Sequence, residues 1–504
     1  MSEQSSEQPS NVERAVAFFK QPVWQRLLET LYHKYIAQGR VGGQVTLLAC
    51  TADEQREIVR FLGKRVPTGA AITVRLSEFQ DALNASGFNC SLPELLATRF
   101  PERPQRTRPE QREQHVQAQQ RFYTALSELS ETLAPDSRAA QWLQHGPHGK
   151  EALFQRYKNR ATEQQKNLLH IVSTIAQGLN RLPIPPHYER LSLFAQRISG
   201  DPHFLDTNTS SGRLFLQALS DTSLHTEDTD DAANEDPDTE PQDKEVQDKE
   251  TANPQASSPT AEQDQQRLYR YYEAGLLIDT ISSTVAVYNL AAAYDHTDQL
   301  DPLIHHAGQR ILILPLRQLL AWERISATTQ DIYLFENPQV FERIVDALNA
   351  INTPKALNTL QGHPASASHP LSTLICTAGW PSVATMRLLT LLTESQPTLT
   401  LHYSGDFDIQ GLRIAAYLCA HYQQCSPWHF DPASYHVALH SETAQLDPKE
   451  LATLSSSTSL SNRASLPTAF TPLIQTISTT KRKAYQEGIT ELLLHDIIAK
   501  TAAR

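Results

Sequence analysis

The chain has 504 residues, enough for two to four domains, and an apolar content of 40% that is typical of folded proteins. Its formal net charge of −12 lies entirely between Glu227 and Asp264, where 14 acidic residues and two lysines leave −12 and the remaining chain is neutral. An acidic total therefore does not exclude a nucleic-acid partner. The five cysteines are scattered, without a C-x-x-C pair. This pattern argues against a disulfide framework or a zinc ribbon and favours a reducing cytoplasm.

The sequence contains no apolar run of the roughly 18 residues that a membrane-spanning helix needs. Residues 1–11 lack the layout of a signal peptide, so we expect a short disordered tail there. Together these features predict a cytoplasmic protein without a membrane partner.

The N-terminal half is predicted to be mainly helical. Within residues 12–120, the apolar runs Gln44–Cys50 and Ala71–Leu76 indicate strands of a small α+β domain. A helical region is expected over residues 121–224. It includes a turn at Gly200–His203, where His203 and Asp206 alone are too few ligands for a metal site.

Arginines and prolines alternate between Arg99 and Arg112. Five arginines surround three prolines there, which predicts an exposed connection rather than a helix. Such a connection either contacts a phosphate backbone or is simply solvated. Residues 225–266 have almost no large apolar side chains, and we expect an acidic disordered linker. A connecting α/β region is expected over residues 267–330.

The most informative stretch is residues 331–430, which alternates between strand and helix patterns and so predicts a largely parallel sheet. The first strand ends at Glu336. Asn337 is a good N-cap for the next helix, and Pro338 suits its first turn. Glu336 is thus expected at the carboxyl end of a strand, where sheets of this type bind their ligands.

Two aspartates follow the third predicted strand of this region. Gly405 precedes Asp406, and Asp408 lies two residues further on, so the carboxylates project to the same side of an extended chain. Carboxylate oxygens are the ligands that Mg²⁺ prefers, and such an ion can activate water for phosphodiester hydrolysis. The alternative is that Glu336, Asp406 and Asp408 only cap helices.

Three motifs in this order resemble a Toprim domain. They run from Glu336 to Pro338, from Cys376 to Ala384 and from Gly405 to Ala415. The version is similar to the JetD-like nuclease subunits of Wadjet plasmid-defence systems of the four-gene operon type. A looser resemblance extends through Gly200–His203 and Tyr485–Glu487.

The resemblance implies a metal-dependent DNA endonuclease that uses Mg²⁺ or Mn²⁺. Glu336, Asp406 and Asp408 would be both the catalytic residues and the metal ligands. It also implies winged-helix-like elements, double-stranded DNA as substrate, a homodimer, and an SMC-like ATPase complex with kleisin-like and accessory subunits as partner. The expected fold is thus multidomain α+β, with a helical N-terminal half, a Toprim domain over residues 331–430 and a C-terminal extension over residues 431–504.

Several points stay open. Ala378 stands where the resemblance leads us to expect an acidic residue, which leaves the number of metals undecided. Glu487 belongs either to the site or to the C-terminal helix, and Lys481–Lys483 either meets phosphate or is solvated. No tyrosine is assignable as a covalent nucleophile, which favours hydrolysis over the phosphotyrosine step of a topoisomerase VI A-like enzyme. That enzyme class and a catalytically silent DNA-binding adaptor are the alternatives.

Overall fold

The structure is a computed structural model that describes residues 10–67, 69–222, 261–352, 371–440, 444–448, 450–451, 454 and 468–502. These residues form two compact units. The first comprises the described residues up to Thr132 together with Ala152–Leu169, and the second comprises Leu133–Glu151 and the described residues from His170 onward.

The part of the chain before residue 223 is mainly helical, as predicted. In chain order its elements are α1 Asn11–Phe19, α2 Pro22–Gln38, β1 Gln44–Leu47, α3 Ala52–Leu62, β2 Ile72–Arg75, α4 Leu76–Ala85, α5 Leu92–Arg99, α6 Arg108–Glu131, α7 Arg138–His145, α8 Lys150–Tyr157, α9 Thr162–Leu179, β3 Glu189–Arg190, α10 Leu191–Ser199 and α11 Ser210–Thr222. The two predicted strands pair antiparallel as β1 and β2. Their buried residues share one core with the aromatic side chains of Phe19, Trp24 and Phe79.

The arginine-rich stretch is only partly the exposed connection that its prolines predict. Helix α5 ends at Arg99, and α6 already begins at Arg108, with Pro109 in its first turn. Proline is tolerated there because the first amide groups of a helix have no intrahelical acceptor. Arg103 is bound within its own unit, since its guanidinium lies 3.0 Å from Glu29 Oε1 and over the ring of Phe100.

The predicted tail and linker lie mostly outside the described residues. The structure describes neither residues 1–9 nor residues 223–260. Helix α12 begins at Ala261, five residues before the predicted end of the linker. Glu262 is buried there and paired with Arg413 at 2.9 Å, which stabilises the first turn of α12 against α17.

The part of the chain from residue 261 onward contains most of the strands. Its elements are α12 Ala261–Glu273, β4 Leu276–Leu277, β5 Thr284–Tyr288, β6 Leu290–Asp295, α13 Pro302–Ala307, β7 Ile311–Pro315, α14 Leu316–Leu319, β8 Trp322–Ala327, β9 Asp331–Phe335, α15 Pro338–Asn352, β10 Thr373–Cys376, α16 Val383–Ser395, β11 Thr400–Ser404, α17 Ile409–His421, β12 Cys425–Pro427, α18 Pro432–Ala438, α19 Thr471–Thr480 and α20 Thr490–Ala502, with 3₁₀ helices at Thr468–Phe470 and Gln486–Ile489.

A six-stranded sheet of order β12-β11-β9-β10-β5-β7 organises the second unit. The four strands β12, β11, β9 and β10 are parallel, whereas β5 and β7 run antiparallel to their neighbours. The prediction of a largely parallel sheet for residues 331–430 is therefore confirmed for the four strands of that range. The complete sheet is mixed because β5 and β7 come from an earlier part of the chain. The multidomain α+β fold class is confirmed.

Strand β9 lies at the centre of the parallel part. The chain leaves β9 through α15 to form β10 on one side, and it returns through α16 to form β11 on the other side. Such a reversal of strand order opens a crevice beyond the carboxyl ends of the strands. In the part of the chain that the structure describes, no helix is long and apolar enough to cross a membrane.

Candidate active site at the carboxyl edge of the sheet

Pairing between β9 and β11 brings the predicted acidic residues together. Phe335 lies opposite Ser404 in the parallel register, and the Glu336 amide donates to the Ser404 carbonyl at 3.1 Å. Glu336 and Asp406 thus leave neighbouring strands at the same edge of the sheet. This is the juxtaposition that the strand and helix signals of the sequence predict.

Glu336 is the most buried carboxylate of this site, with only 9% of the residue exposed. Its Oε2 atom accepts a hydrogen bond from the Asp406 amide at 3.1 Å and another from the Tyr403 hydroxyl at 3.3 Å. Burial, followed by the negative charge of Asp406, raises the pKa of Glu336 from its ordinary 4.5 to about 7. Glu336 can therefore exchange a proton near neutral pH.

Asp406 is also perturbed, although it is less buried. Its Oδ1 atom accepts a hydrogen bond from the Gln486 amide at 2.8 Å. Burial raises the pKa of Asp406 to about 6 against the effect of that bond, and the charges of Asp408 and Glu487 add to the increase. Two neighbouring carboxyl groups with raised pKa values would bind an added cation favourably, because a nearby positive charge stabilises their ionised forms.

Asp408 has a structural role that the alternative interpretation anticipates. It is the N-cap of α17, and its Oδ1 atom accepts a hydrogen bond from the Gly411 amide at 3.0 Å. At the start of α15, it is the Asn337 side chain that accepts a hydrogen bond from a helix amide, that of Gln339. Among the described hydrogen bonds, the Glu336 carboxylate accepts none from a helix amide of α15. The capping interpretation thus fits Asp408 better than it fits Glu336.

Two glycines allow the chain to pass this close to the carboxylates. A Cβ atom on Gly405 would press against Glu336 Oε2 and would lie 2.8 Å from the Tyr403 hydroxyl. A Cβ atom on Gly411 would run into the carbonyl group of Asp406. Glycine at positions 405 and 411 is therefore a steric requirement of the loop.

The second motif supports the backbone of Glu336. The Gly379 amide donates to the Glu336 carbonyl at 3.1 Å, and the Thr377 amide donates to the Phe335 carbonyl at 2.9 Å. Ala378 and Gly379 adopt left-handed backbone conformations with φ of 53° and 90°. Ala378 is exposed, and its side chain has no atom that could bind a metal, so this motif positions the backbone of Glu336 and adds no charged group to the site.

The C-terminal segment contributes residues that sequence reasoning did not assign to the site. Glu487 lies in the 3₁₀ helix before α20, where its Oε1 atom accepts from Asn337 Nδ2 at 2.7 Å. Lys483, in the basic cluster, is paired with Glu450 at 2.7 Å, and its charge lowers the pKa of Asp406. Tyr403 and Gln486 carry no ordinary catalytic signature. The Tyr485–Glu487 resemblance was the one signal that pointed to this segment.

The donor set is chemically suited to a hard divalent cation. Mg²⁺ and Mn²⁺ bind carboxylate oxygens, and Mg²⁺ is commonly held by one or two carboxylates with several waters completing the shell. Glu336 and Asp406 supply such a pair. Across the described ranges, however, no group of three His, Cys, Asp or Glu residues is placed to hold a metal ion. Glu336 and Asp406 are joined by a hydrogen bond, whereas Asp408 uses its Oδ1 atom to cap α17.

The fold and the site define a class of protein: a mixed α/β sheet with paired acidic residues beyond the ends of its central parallel strands. Comparison with family models is more specific. The model described as "Protein of unknown function N-terminus (DUF3323)" matches residues 41–292, which is half of the chain. The model described as "Protein of unknown function C-terminus (DUF2399)" matches residues 312–497 and includes the whole carboxylate site. The chain therefore belongs to the family that these two models describe. No curated protein matches it.

Proposed function

We propose that this chain is a Mg²⁺- or Mn²⁺-dependent DNA endonuclease that cuts plasmid DNA as the effector of an SMC-like defence complex. The observation that carries the proposal is the contact between Glu336 and Asp406, which leave adjacent parallel strands with raised pKa values. The pair of family models is also the one known for JetD-like proteins. A cytoplasmic homodimer acting on double-stranded DNA is part of the same proposal.

The side chains divide the chemistry between them. A bound divalent ion would supply a Lewis acid and an activated water. Glu336 would donate or accept a proton at its Oε1 or Oε2 atom, and in the metal-free protein its pKa of about 7 lies near the working pH of a general acid or base. Asp406 would hold the ion, with its Oδ1 atom fixed by the Gln486 amide.

The direct test is cleavage of closed circular plasmid. We expect the full chain, mixed with the SMC-like ATPase complex, ATP and Mg²⁺ or Mn²⁺, to linearise the plasmid. Asp406→Ala should reduce the rate by about 10²- to 10³-fold, as expected when a group that stabilises the transition state is removed. Rates would be measured on agarose gels, with Glu342→Ala as an exposed acidic control in the same unit.

Two results would contradict the proposal. One is an intact plasmid with the wild-type chain and all components present. The other is an Asp406→Ala rate equal to that of the wild-type chain. Protein that stays attached to the DNA ends on a denaturing gel would instead identify a topoisomerase VI A-like enzyme.

A silent DNA-binding adaptor is the second candidate, and the hydrogen bond from Gly411 to Asp408 favours it. Asparagine keeps an oxygen acceptor at this position, whereas alanine does not. If Asp408 only caps α17, Asp408→Asn should leave plasmid loss unchanged. Asp408→Ala should lower the free energy of unfolding by about 1 kcal/mol. For a nuclease that uses the Asp408 charge, we expect Asp408→Asn to lose cleavage while keeping its stability in urea denaturation.

A further inference from the structure

The C-terminal segment 484–487 contacts both loops that carry the candidate catalytic residues. The Phe407 amide donates to the Ala484 carbonyl at 3.0 Å, which ties the segment to the loop after β11. Asn337 Nδ2 donates to Glu487 at 2.7 Å, which ties the segment to the residue after β9. The two loops are thus joined through a third piece of chain, about 80 residues further along in sequence from Asp406.

Gln486 makes the central contacts of this bridge. Its side-chain Oε1 atom accepts from the Asn337 amide at 2.9 Å, and its Nε2 atom donates to the Ser404 carbonyl at 2.7 Å. Its own amide donates to Asp406 Oδ1 at 2.8 Å. One residue therefore binds the chain next to Glu336, the chain before Gly405 and the carboxylate of Asp406.

Burial makes these contacts specific to glutamine. Gln486 has no exposed surface, so its amide oxygen and nitrogen find their partners within the protein. Asparagine would be one methylene too short to span the same partners. Glutamate would place a second oxygen against the Ser404 carbonyl, because an ionised carboxylate has no hydrogen to donate.

The bridge itself rests on an apolar anchor. The 3₁₀ helix Gln486–Ile489 leads directly into α20, in which Leu493 and Ile497 are completely buried in the core of the second unit. Buried residues that hold Gln486 in place also hold the loops it contacts, so these loops do not have to become ordered when a ligand binds.

We propose that Gln486 is a positioning residue that sets the separation of the Glu336 and Asp406 loops so that both carboxylates face one divalent ion. The inference rests on the proposed function for the identity of the ligand, but its geometric part does not. The regular pairing of β9 with β11 ends at Phe335 and Ser404, and the Ser404 carbonyl accepts one further backbone hydrogen bond from the Glu336 amide. Beyond this point, the Gln486 side chain links the two loops through its hydrogen bonds to the Asn337 amide and the Ser404 carbonyl.

The test compares two buried glutamines. Gln486→Leu removes both side-chain hydrogen bonds of the bridge. Gln55→Leu is the matched control, because Gln55 is also buried in the first unit, donates to the Pro67 carbonyl at 2.6 Å and accepts from the Gly69 amide at 3.0 Å. Both variants should lose similar stability, which urea denaturation of the full chains would measure.

Two further readouts separate positioning from stability. Mn²⁺ binding, followed by electron paramagnetic resonance of the free ion, should weaken roughly 10- to 100-fold in Gln486→Leu, as it does when residues behind metal ligands are changed. Amide hydrogen exchange in the peptide spanning 404–408 should accelerate in the same variant. Gln55→Leu should change neither readout.

Each outcome has a defined meaning. Unchanged Mn²⁺ affinity and unchanged exchange in Gln486→Leu would overturn the positioning role, whatever the loss of stability. If the wild-type chain binds no Mn²⁺, the metal-dependent function fails, and exchange alone decides whether Gln486 holds the two loops together. Faster exchange confined to 404–408 would then still support the bridge.

Discussion

Metal-free Glu336→Gln protein is expected to be more stable than the wild-type chain at pH 8 and equally stable at pH 4. Glu336 has a pKa of about 7 in the folded protein, against an ordinary 4.5. Between these values the folded state binds more protons than the unfolded state, so stability falls as the pH rises. The stabilisation is complete below about pH 4.5 and is lost as the pH passes through 7.

The size of this effect follows from the pKa difference. Each unit of pKa difference corresponds to about 1.4 kcal/mol, so the difference between 4.5 and about 7 should make the ionisation of Glu336 cost about 3 kcal/mol at pH 8. Glutamine has nearly the same shape and bears no charge. Its Oε1 atom can still accept the hydrogen bond from the Asp406 amide, so the substitution removes the ionisation and keeps the contact.

Urea denaturation of the full chain from pH 4 to pH 8 measures this difference. Exposed Glu342→Gln is the control and should follow the wild-type curve at every pH. Adding Mn²⁺ at pH 8 should stabilise the wild-type chain by about 2.7 kcal/mol at a concentration 100 times its dissociation constant, and should stabilise Glu336→Gln much less. A Glu336→Gln chain that is less stable than wild type at pH 8 would mean that a positive group neutralises Glu336.

Local signals account for the parts of the site that sequence reasoning predicted. A buried strand, a helix-capping asparagine and a proline follow one another around Glu336, and each acts within a few residues. The same is true of the loop from Gly405 to Asp408, where the aspartates directly precede a helix. The sequence could place Glu336 and Asp406 at the same edge of the sheet because all strands of a parallel sheet present their carboxyl ends there.

Contacts between distant parts of the chain account for what was missed. Strand β5 pairs with β10, although Val287 and Ile375 are far apart in sequence, and nothing local indicates an antiparallel partner. Gln486 is likewise remote from Asp406 and has no titratable group to mark it. The prediction of an exposed connection between Arg99 and Arg112 was partly wrong for another reason. Proline is compatible with the first turn of a helix, as Pro109 is in α6, so a high proline content alone does not exclude a helix.

Replacing each glycine of the third motif with alanine is expected to separate the chemistry of the site from its folding. In Gly405→Ala, the new methyl group meets the ends of two side chains, Glu336 and Tyr403. These ends can shift at a cost of about 1–2 kcal/mol, but Glu336 then leaves its position beside the Asp406 amide. We expect a folded protein that has lost Mn²⁺ binding and plasmid cleavage.

Gly411→Ala should behave in the opposite way, because its methyl group meets the backbone of Asp406 rather than a side chain. The carbonyl cannot move without distorting the start of α17, so we expect a loss of roughly 3 kcal/mol or more in the free energy of unfolding. Gly42→Ala is a suitable control, since its nearest neighbours would be ordinary contacts of 3.6 Å and longer to Arg40. Thermal melting, Mn²⁺ binding and cleavage of the three variants would test the contrast. If Gly405→Ala retains full Mn²⁺ affinity and cleavage, Glu336 does not need the position that the structure gives it, and the paired-carboxylate site is not the active site.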